Sequence, residues 1–336
     1  MALKNQHKPL LNIRDRLTAI EQEIVESLSE FNLSADYHNL LHSALFSNYK
    51  QSSESESKPW GLLPGLCCQA AGGEIEWADK VAASWLLFYA AADLMDSVQD
   101  QDDIHAWWFA GGSAVALSAA TGLFFCASSL LSKAAFSLES KVNSAALIQD
   151  FHQSFLQMSS GQFADIRHPY PDLGQYWQIA SEKSGSFFAL ACRSGARLAL
   201  QDQEKLSVFG ELGYNLGILV QVLDDLDDLN SLLQPEKSRE NRLLPRSLPF
   251  VYAFQVLPFS KREQVMRFLE YGTGDIQTGQ DLFNLIEESG ATIYLLAQID
   301  RYRSLALEKL SLVACDGPAR TMLEKLIRQL GSINKN

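Results

Sequence analysis

The chain has 336 residues, 47% hydrophobic and 20% charged. That is ample material for one large buried core, and it excludes a disordered or low-complexity chain. Asp and Glu outnumber Lys and Arg by 40 to 28, for a net charge of −12 and a pI near 5.0, a balance that argues against nucleic acid or an anionic membrane surface as partner.

In chain order, MALKNQHKPLLNIRDRL lacks the apolar stretch of a secretory signal, so the expected location is cytoplasmic. Residues 10–32 carry apolar residues at three- and four-residue spacing and predict an amphipathic helix. QSSESESK, residues 51–58, reads as a mobile loop. Long apolar helices follow at 61–72, 76–98, 110–136, 142–163, 174–199, 203–231, 247–270 and 276–314. A second polar loop covers 234–242, QPEKSRENR.

No Asp, Glu, Lys or Arg occurs between Ile104 and Ser132, a run long enough to span a bilayer. Its glycines and hydroxyl residues, and the aspartates just before it, favour instead a central helix enclosed on all sides; no transmembrane segment is expected. Turn residues are sparse, and no strand alternation bounded by Asn-Gly or Asp-Gly occurs. The fold class is therefore all-α, a helical bundle around a central cavity. One domain spans 1–336, with residues 1–40 as an accessory N-terminal helix. Five cysteines without CxxC spacing, four of them in apolar runs, read as buried thiols.

Two acidic segments carry the chemistry. ADLMDSVQDQDD holds Asp93, Asp96, Asp100, Asp102 and Asp103; QVLDDLDDLN holds Asp224, Asp225 and Asp228, with Gln221 one turn earlier. Asp96 with Asp100, and Asp224 with Asp228, are four apart and share a helix face, where like charges repel and oppose the macrodipole of a helix C-terminus. Hard divalent cations compensate such clusters. Mg²⁺ in particular takes one or two carboxylates together with substrate phosphates.

These segments resemble those of the trans-isoprenyl diphosphate synthase (polyprenyl synthetase) family, an all-α isoprenoid-synthase-type bundle with two DDxxD motifs across a cavity. Asp224, Asp225 and Asp228 match the second motif in full; DSVQD matches the first with Ser97 at the middle position. GQFADI (Gly161, Gln162, Asp165) resembles the family's GQxxD, and EKSGSFFALACRSGA resembles its K-T-G segment, placing Lys183 at the diphosphate-binding lysine. CCQAAGG and RSLPFVYAF also fall in family order, so the resemblance covers about residues 55–310. It implies Mg²⁺, three ions with the bound diphosphate, held by Asp96, Asp100, Asp224, Asp225 and Asp228. Lys183, Gln162, Gln221 and Arg246 would bind the substrate, and the family commonly forms homodimers.

The departures fall at the second substrate site. SKPWGLLP keeps Lys58 but has Trp60 near an expected arginine, Tyr89 stands at the histidine position, and DIHAWWFAGG, with His105, has no arginine pair. Each lost cation removes a charge-assisted bond of roughly 1.5–3 kcal/mol to isopentenyl diphosphate. Trp85, Phe88, Tyr89, Trp107, Trp108, Phe124, Phe125, Phe187 and Phe188 are candidates to line a pocket for an allylic cation. In the resembled family bulky residues before the first motif cap the growing chain, so Ala90, Ala91 and Ala92 imply a deep pocket and a substrate of fifteen to twenty carbons.

The expected function is Mg²⁺-dependent ionisation of an allylic prenyl diphosphate, with quenching or cyclisation of the cation as in a class I terpene synthase. One alternative is a prenyltransferase, elongating or acting on a non-isoprenoid acceptor; the first motif with its DQDD extension resembles bacterial enzymes that prenylate a pheromone peptide. Another, motivated by Ser97, is a non-catalytic regulatory subunit.

Overall fold

The computed structural model describes residues 13–53, 60–100, 111–137, 144–233, 244–271, 276–313 and 315–331, and no strand occurs among them. The helices are α1 (Ile13–Ser29), α2 (Ala35–Ser53), α3 (Leu63–Ala70), α4 (Asp79–Asp100), α5 (Ser113–Ser137), α6 (Ser144–Arg167), α7 (Leu173–Ala180), α8 (Ser186–Arg197) and α9 (Gln203–Ser231). They continue as α10 (Leu248–Val256), α11 (Phe259–Tyr271), α12 (Ile276–Glu288), α13 (Ala291–Val313) and α14 (Pro318–Gln329).

One contiguous core runs from α1 to α14, with Trp85, Phe88, Phe151 and Phe209 among its fully buried side chains. A smaller core around Phe250, Leu282 and Ile286 joins the end of α9 to α10 and α12. α4 packs on α5, and α9 on α8 and α13, so the two acid-bearing helices stand inside the bundle. As expected of buried thiols, Cys67, Cys68, Cys126 and Cys192 are enclosed; Cys315 is exposed.

Three predicted helices are broken in the structure, each for a local reason. The 174–199 helix contains a π-helical turn, Ser181–Gly185, between α7 and α8. The 247–270 helix divides where Leu257, preceding Pro258, is extended, because a residue before proline is driven out of the α region. The 276–314 helix divides at Gly290, whose φ of 80° ends α12. Helices α2 and α14 lie outside the predicted set; α2 extends to Ser53, so the start of the 51–58 segment is helical. The rest of that loop and the 234–242 loop lie outside the described residues.

α5 is not enclosed on all sides. Ala116, Ala120, Leu123 and Ala127 are buried, whereas Leu117, Phe125 and Phe136 are exposed, the last at 74%. The helix is apolar all round, but only one face meets α4, so hydropathy overstated its burial. By length and composition α5, α9 and Ile75–Asp100 could each cross a bilayer. Here α4 and α9 use their apolar length to carry carboxylates into the bundle.

Candidate active site

A cavity of about 1760 Å³ opens between α1, α4, α6, α7, α8 and α9. On α4, Tyr89, Asp93, Asp96 and Asp100 follow one another at spacings of four, three and four, and all line it, as one helix face requires. Asp224, Asp225 and Asp228 enter from α9, Gln162 and Asp165 from α6, and Arg246 from a 3-10 turn, Leu244–Arg246. Every residue expected from the sequence to hold metal or diphosphate borders this one space.

Lys183 sits on the π-helical turn, where a local widening redirects side chains. The turn lies against α9 at Gly217, where a Cβ would come within 2.2 Å of the Ser184 carbonyl oxygen. Only glycine permits that approach, and it brings Lys183 over the aspartates.

The Lys183 ammonium donates to Asp96 at 3.1 Å and to Asp165 at 3.0 Å. Arg246 donates to Asp100 at 2.9 Å, and its Nη1 lies 3.9 Å from the other oxygen of Asp165. Burial disfavours the Lys183 charge, yet Asp96 and Asp165 outweigh it and hold the group above the ordinary lysine range. Burial raises Asp96, against the pull of Lys183.

The second motif divides by face. Asp224 and Asp228 are exposed toward the cavity, whereas Asp225 is 3% exposed. The motif places Asp225 among the metal ligands, but its carboxylate accepts from the Tyr176 hydroxyl at 2.5 Å, the Leu248 N–H at 2.8 Å and Gln221 Nε2 at 3.0 Å. Gln221 Oε1 accepts in turn from Ser184 at 2.6 Å. The chain Ser184–Gln221–Asp225 therefore fastens α9 to the lysine-bearing turn, and Gln221 is committed to it.

Two aromatic walls complete the cavity. Phe88 packs against Phe124 at 5.0 Å and Phe155 at 4.0 Å, between α4, α5 and α6. On the other side Trp85 stacks on Phe187 at 4.2 Å, Tyr89 meets Phe187 at 5.6 Å, and Trp60 meets Phe188 at 5.2 Å. Ala91 and Ala92 line the cavity. Phe125 does not; it is 66% exposed on the outer face of α5, opposite Phe124. Lys58, Asp102, Asp103, His105, Trp107 and Trp108 lie outside the described residues.

Sequence reasoning did not single out Arg14, Leu17, Thr18 and Glu21 of α1, which line the cavity too. Arg16 explains their placement, bonding Asp79 at 2.9 Å and Glu76 at 3.0 Å and so seating α1 on the start of α4. Tyr176 left no signal in the sequence, since its role is a contact with a residue 49 positions away.

A family model described as Polyprenyl synthetase matches residues 61–286. The chain belongs to this family. The decaprenyl-diphosphate synthase of Dictyostelium discoideum is 25% identical over 187 residues, 54% of this chain and 38% of that protein. The tryptophan prenyltransferase ComQ of Bacillus subtilis subsp. natto is 26% identical over 157 residues, 46% of this chain and 47% of that protein. The alignments thus span less than half of either relative.

The fold is that of the family's solved structures. The geranylgeranyl pyrophosphate synthetase of Pyrococcus horikoshii superposes with a TM-score of 0.79 at 18% identity, covering 95% of this chain and 96% of that one. A polyprenyl synthase of Caulobacter crescentus, solved with calcium and isoprenyl diphosphate, gives 0.76 at 19% identity over 94% and 93%.

The donors fit magnesium with a diphosphate better than magnesium alone. Among the described residues no three His, Cys, Asp or Glu side chains converge closely enough to hold a metal ion. Phosphate oxygens would have to complete the shell, as is usual for Mg²⁺. Both amide atoms of Gln162 are buried at the cavity without a protein partner, an arrangement that asks for a ligand.

The structure also amends the electrostatic expectation. Lys183 and Arg246 pair with the first cluster, and three hydrogen-bond donors satisfy Asp225.

Proposed function

We propose that the protein ionises an allylic prenyl diphosphate of fifteen to twenty carbons and transfers the prenyl group to an acceptor other than isopentenyl diphosphate. The second aromatic wall carries this reading. Trp60 and Tyr89 stand where the family's arginine and histidine are expected, and Arg14 is the one cation among the described residues lining the cavity besides Lys183 and Arg246. A second diphosphate would lose most of its partners there. The likeness to a tryptophan prenyltransferase supports an acceptor of other chemistry.

Asp96, Asp100, Asp224 and Asp228 would hold Mg²⁺, which when bound supplies Lewis-acid assistance to departure of the diphosphate. Lys183 and Arg246 are placed to exchange their carboxylate partners for phosphate oxygens, and the Gln162 amide gains a partner at the same time. The aromatic walls exclude water from the allylic chain and stabilise a cation by about 0.5–2 kcal/mol per ring face. Those walls also suit a second reading, in which the cation is quenched or cyclised within the cavity.

Incubation with Mg²⁺ and farnesyl or geranylgeranyl diphosphate, with and without isopentenyl diphosphate, tests the proposal. Pyrophosphate release without isopentenyl diphosphate is expected, and chain-elongated diphosphates formed only in its presence would overturn it. Asp96→Ala and Asp224→Ala should each abolish turnover while the protein remains folded. A homodimer through α5 and α6 is part of the same reading, supported by exposed Phe125, Phe136 and Leu156. Sedimentation showing a monomer at micromolar concentration would remove it.

A further inference from the structure

Asp93 belongs to neither metal motif, yet it lines the cavity one helical turn from Asp96 and one from Tyr89. It marks the border between two environments. On one side lie Asp96, Asp100 and Lys183; on the other, the rings of Tyr89, Phe187, Phe188 and Trp60. Tyr89 is half exposed although its ring rests on Phe187, because it faces into the open cavity.

The charges facing this slot are unsuited to an anion. Glu21 and Arg14 of α1, Asp93 and Asp96 of α4 and Asp224 of α9 line the same cavity, and Lys183 there is already paired with Asp96. A neutral or cationic ring system would stack on Phe187 and Tyr89, and a polar hydrogen on it would point at a carboxylate.

Building on the transferase reading above, we propose that the slot takes a protic aromatic acceptor without negative charge, and that Asp93 accepts the acceptor's hydrogen bond and then its proton. In the transfer step the C1–O bond of the allylic diphosphate breaks, and its electron pair leaves with the diphosphate. An electron pair of the acceptor forms the new bond to C1. The proton displaced from the attacked atom passes to Asp93 and from there to water in the cavity. Nothing is oxidised or reduced.

The test uses the full chain with Mg²⁺, farnesyl diphosphate and three indole probes: neutral N-acetyltryptophanamide, cationic tryptophanamide and anionic indole-3-acetate. Prenylated product is expected from the first two at rates at least tenfold above the third. Asp93→Asn should lower kcat for transfer by about 100-fold and shift the ratio of prenylated product to prenyl alcohol toward the alcohol, and Asp93→Glu should recover part of the loss. Circular dichroism and thermal melting of both variants verify folding. Three results overturn the inference: farnesol and pyrophosphate from the wild type with no indole prenylated, equal rates for the anionic probe, or an unchanged product ratio in Asp93→Asn. No pyrophosphate release by the wild type at all sinks the functional reading instead.

Discussion

Lys183 holds Asp96 at 3.1 Å while its other bond, at 3.0 Å, goes to Asp165. One cation thus rests on an expected metal ligand and on a carboxylate outside both aspartate motifs. Asp165 also lies 3.9 Å from Arg246 through its second oxygen. It is thus a carboxylate neighbour of both cations at the cavity.

Removing either side of this arrangement should separate binding from folding. Lys183→Ala is expected to reduce kcat/KM for the allylic diphosphate by about 100-fold, the equivalent of a charge-assisted bond of roughly 3 kcal/mol. Asp165→Asn, which takes one carboxylate partner from each cation, should raise KM more than it lowers kcat. Steady-state kinetics with Mg²⁺ in excess reads both, and full activity of Lys183→Ala would remove the lysine from the site. Chelation with EDTA should abolish turnover of the wild type, and added Mg²⁺ should restore it.

Tyr176→Phe removes one of three donors to the buried Asp225 carboxylate and leaves an oxygen under-satisfied. A loss of about 1–3 kcal/mol in unfolding free energy is expected, measured by urea denaturation. If the variant unfolds at the wild-type midpoint, the 2.5 Å hydrogen bond contributes nothing.

Asp225 also predicts a pH dependence. Burial pushes its carboxyl up to about 7, against hydrogen bonds that favour the charged form. An unfolded aspartate titrates near ~3.9. The folded state therefore binds the proton more tightly, and this residue's contribution is fully present below about pH 4 and lost as pH rises through about 7. Asp225→Asn cannot ionise, so its stability should fall less than that of the wild type between pH 5 and pH 8 in parallel thermal melts.

The second aromatic wall should be convertible. Trp60→Arg with Tyr89→His restores two groups that the family's second diphosphate site is expected to contain. Each bond of roughly 1.5–3 kcal/mol is worth about tenfold or more, so the double variant should gain 100-fold or more in isopentenyl-diphosphate-dependent elongation. Product analysis showing no longer diphosphate would mean that another feature excludes the second substrate.

Phe155 closes the allylic side through its 4.0 Å contact with Phe88. Phe155→Ala should extend the cavity between α4 and α6 and improve a twenty-carbon substrate relative to a fifteen-carbon one by several-fold in kcat/KM. An unchanged ratio would place the limit on chain length elsewhere.

What the sequence determined by itself was set by periodicity and by charge at fixed helical offsets. The all-α class, the long apolar helices and the facing of Asp96 with Asp100 and of Asp224 with Asp228 follow from a 3.6-residue repeat that needs no partner. Tertiary structure decided everything that depends on a distant neighbour. Asp225 and Asp228 are both motif aspartates, but Tyr176 and the Leu248 N–H bury one while the other faces the cavity. Phe124 and Phe125 are adjacent and equally apolar, yet packing turns one toward Phe88 and leaves the other on the surface. The contribution of α1 to the cavity depends on Arg16 meeting Asp79, a pairing across 63 positions that no local pattern encodes.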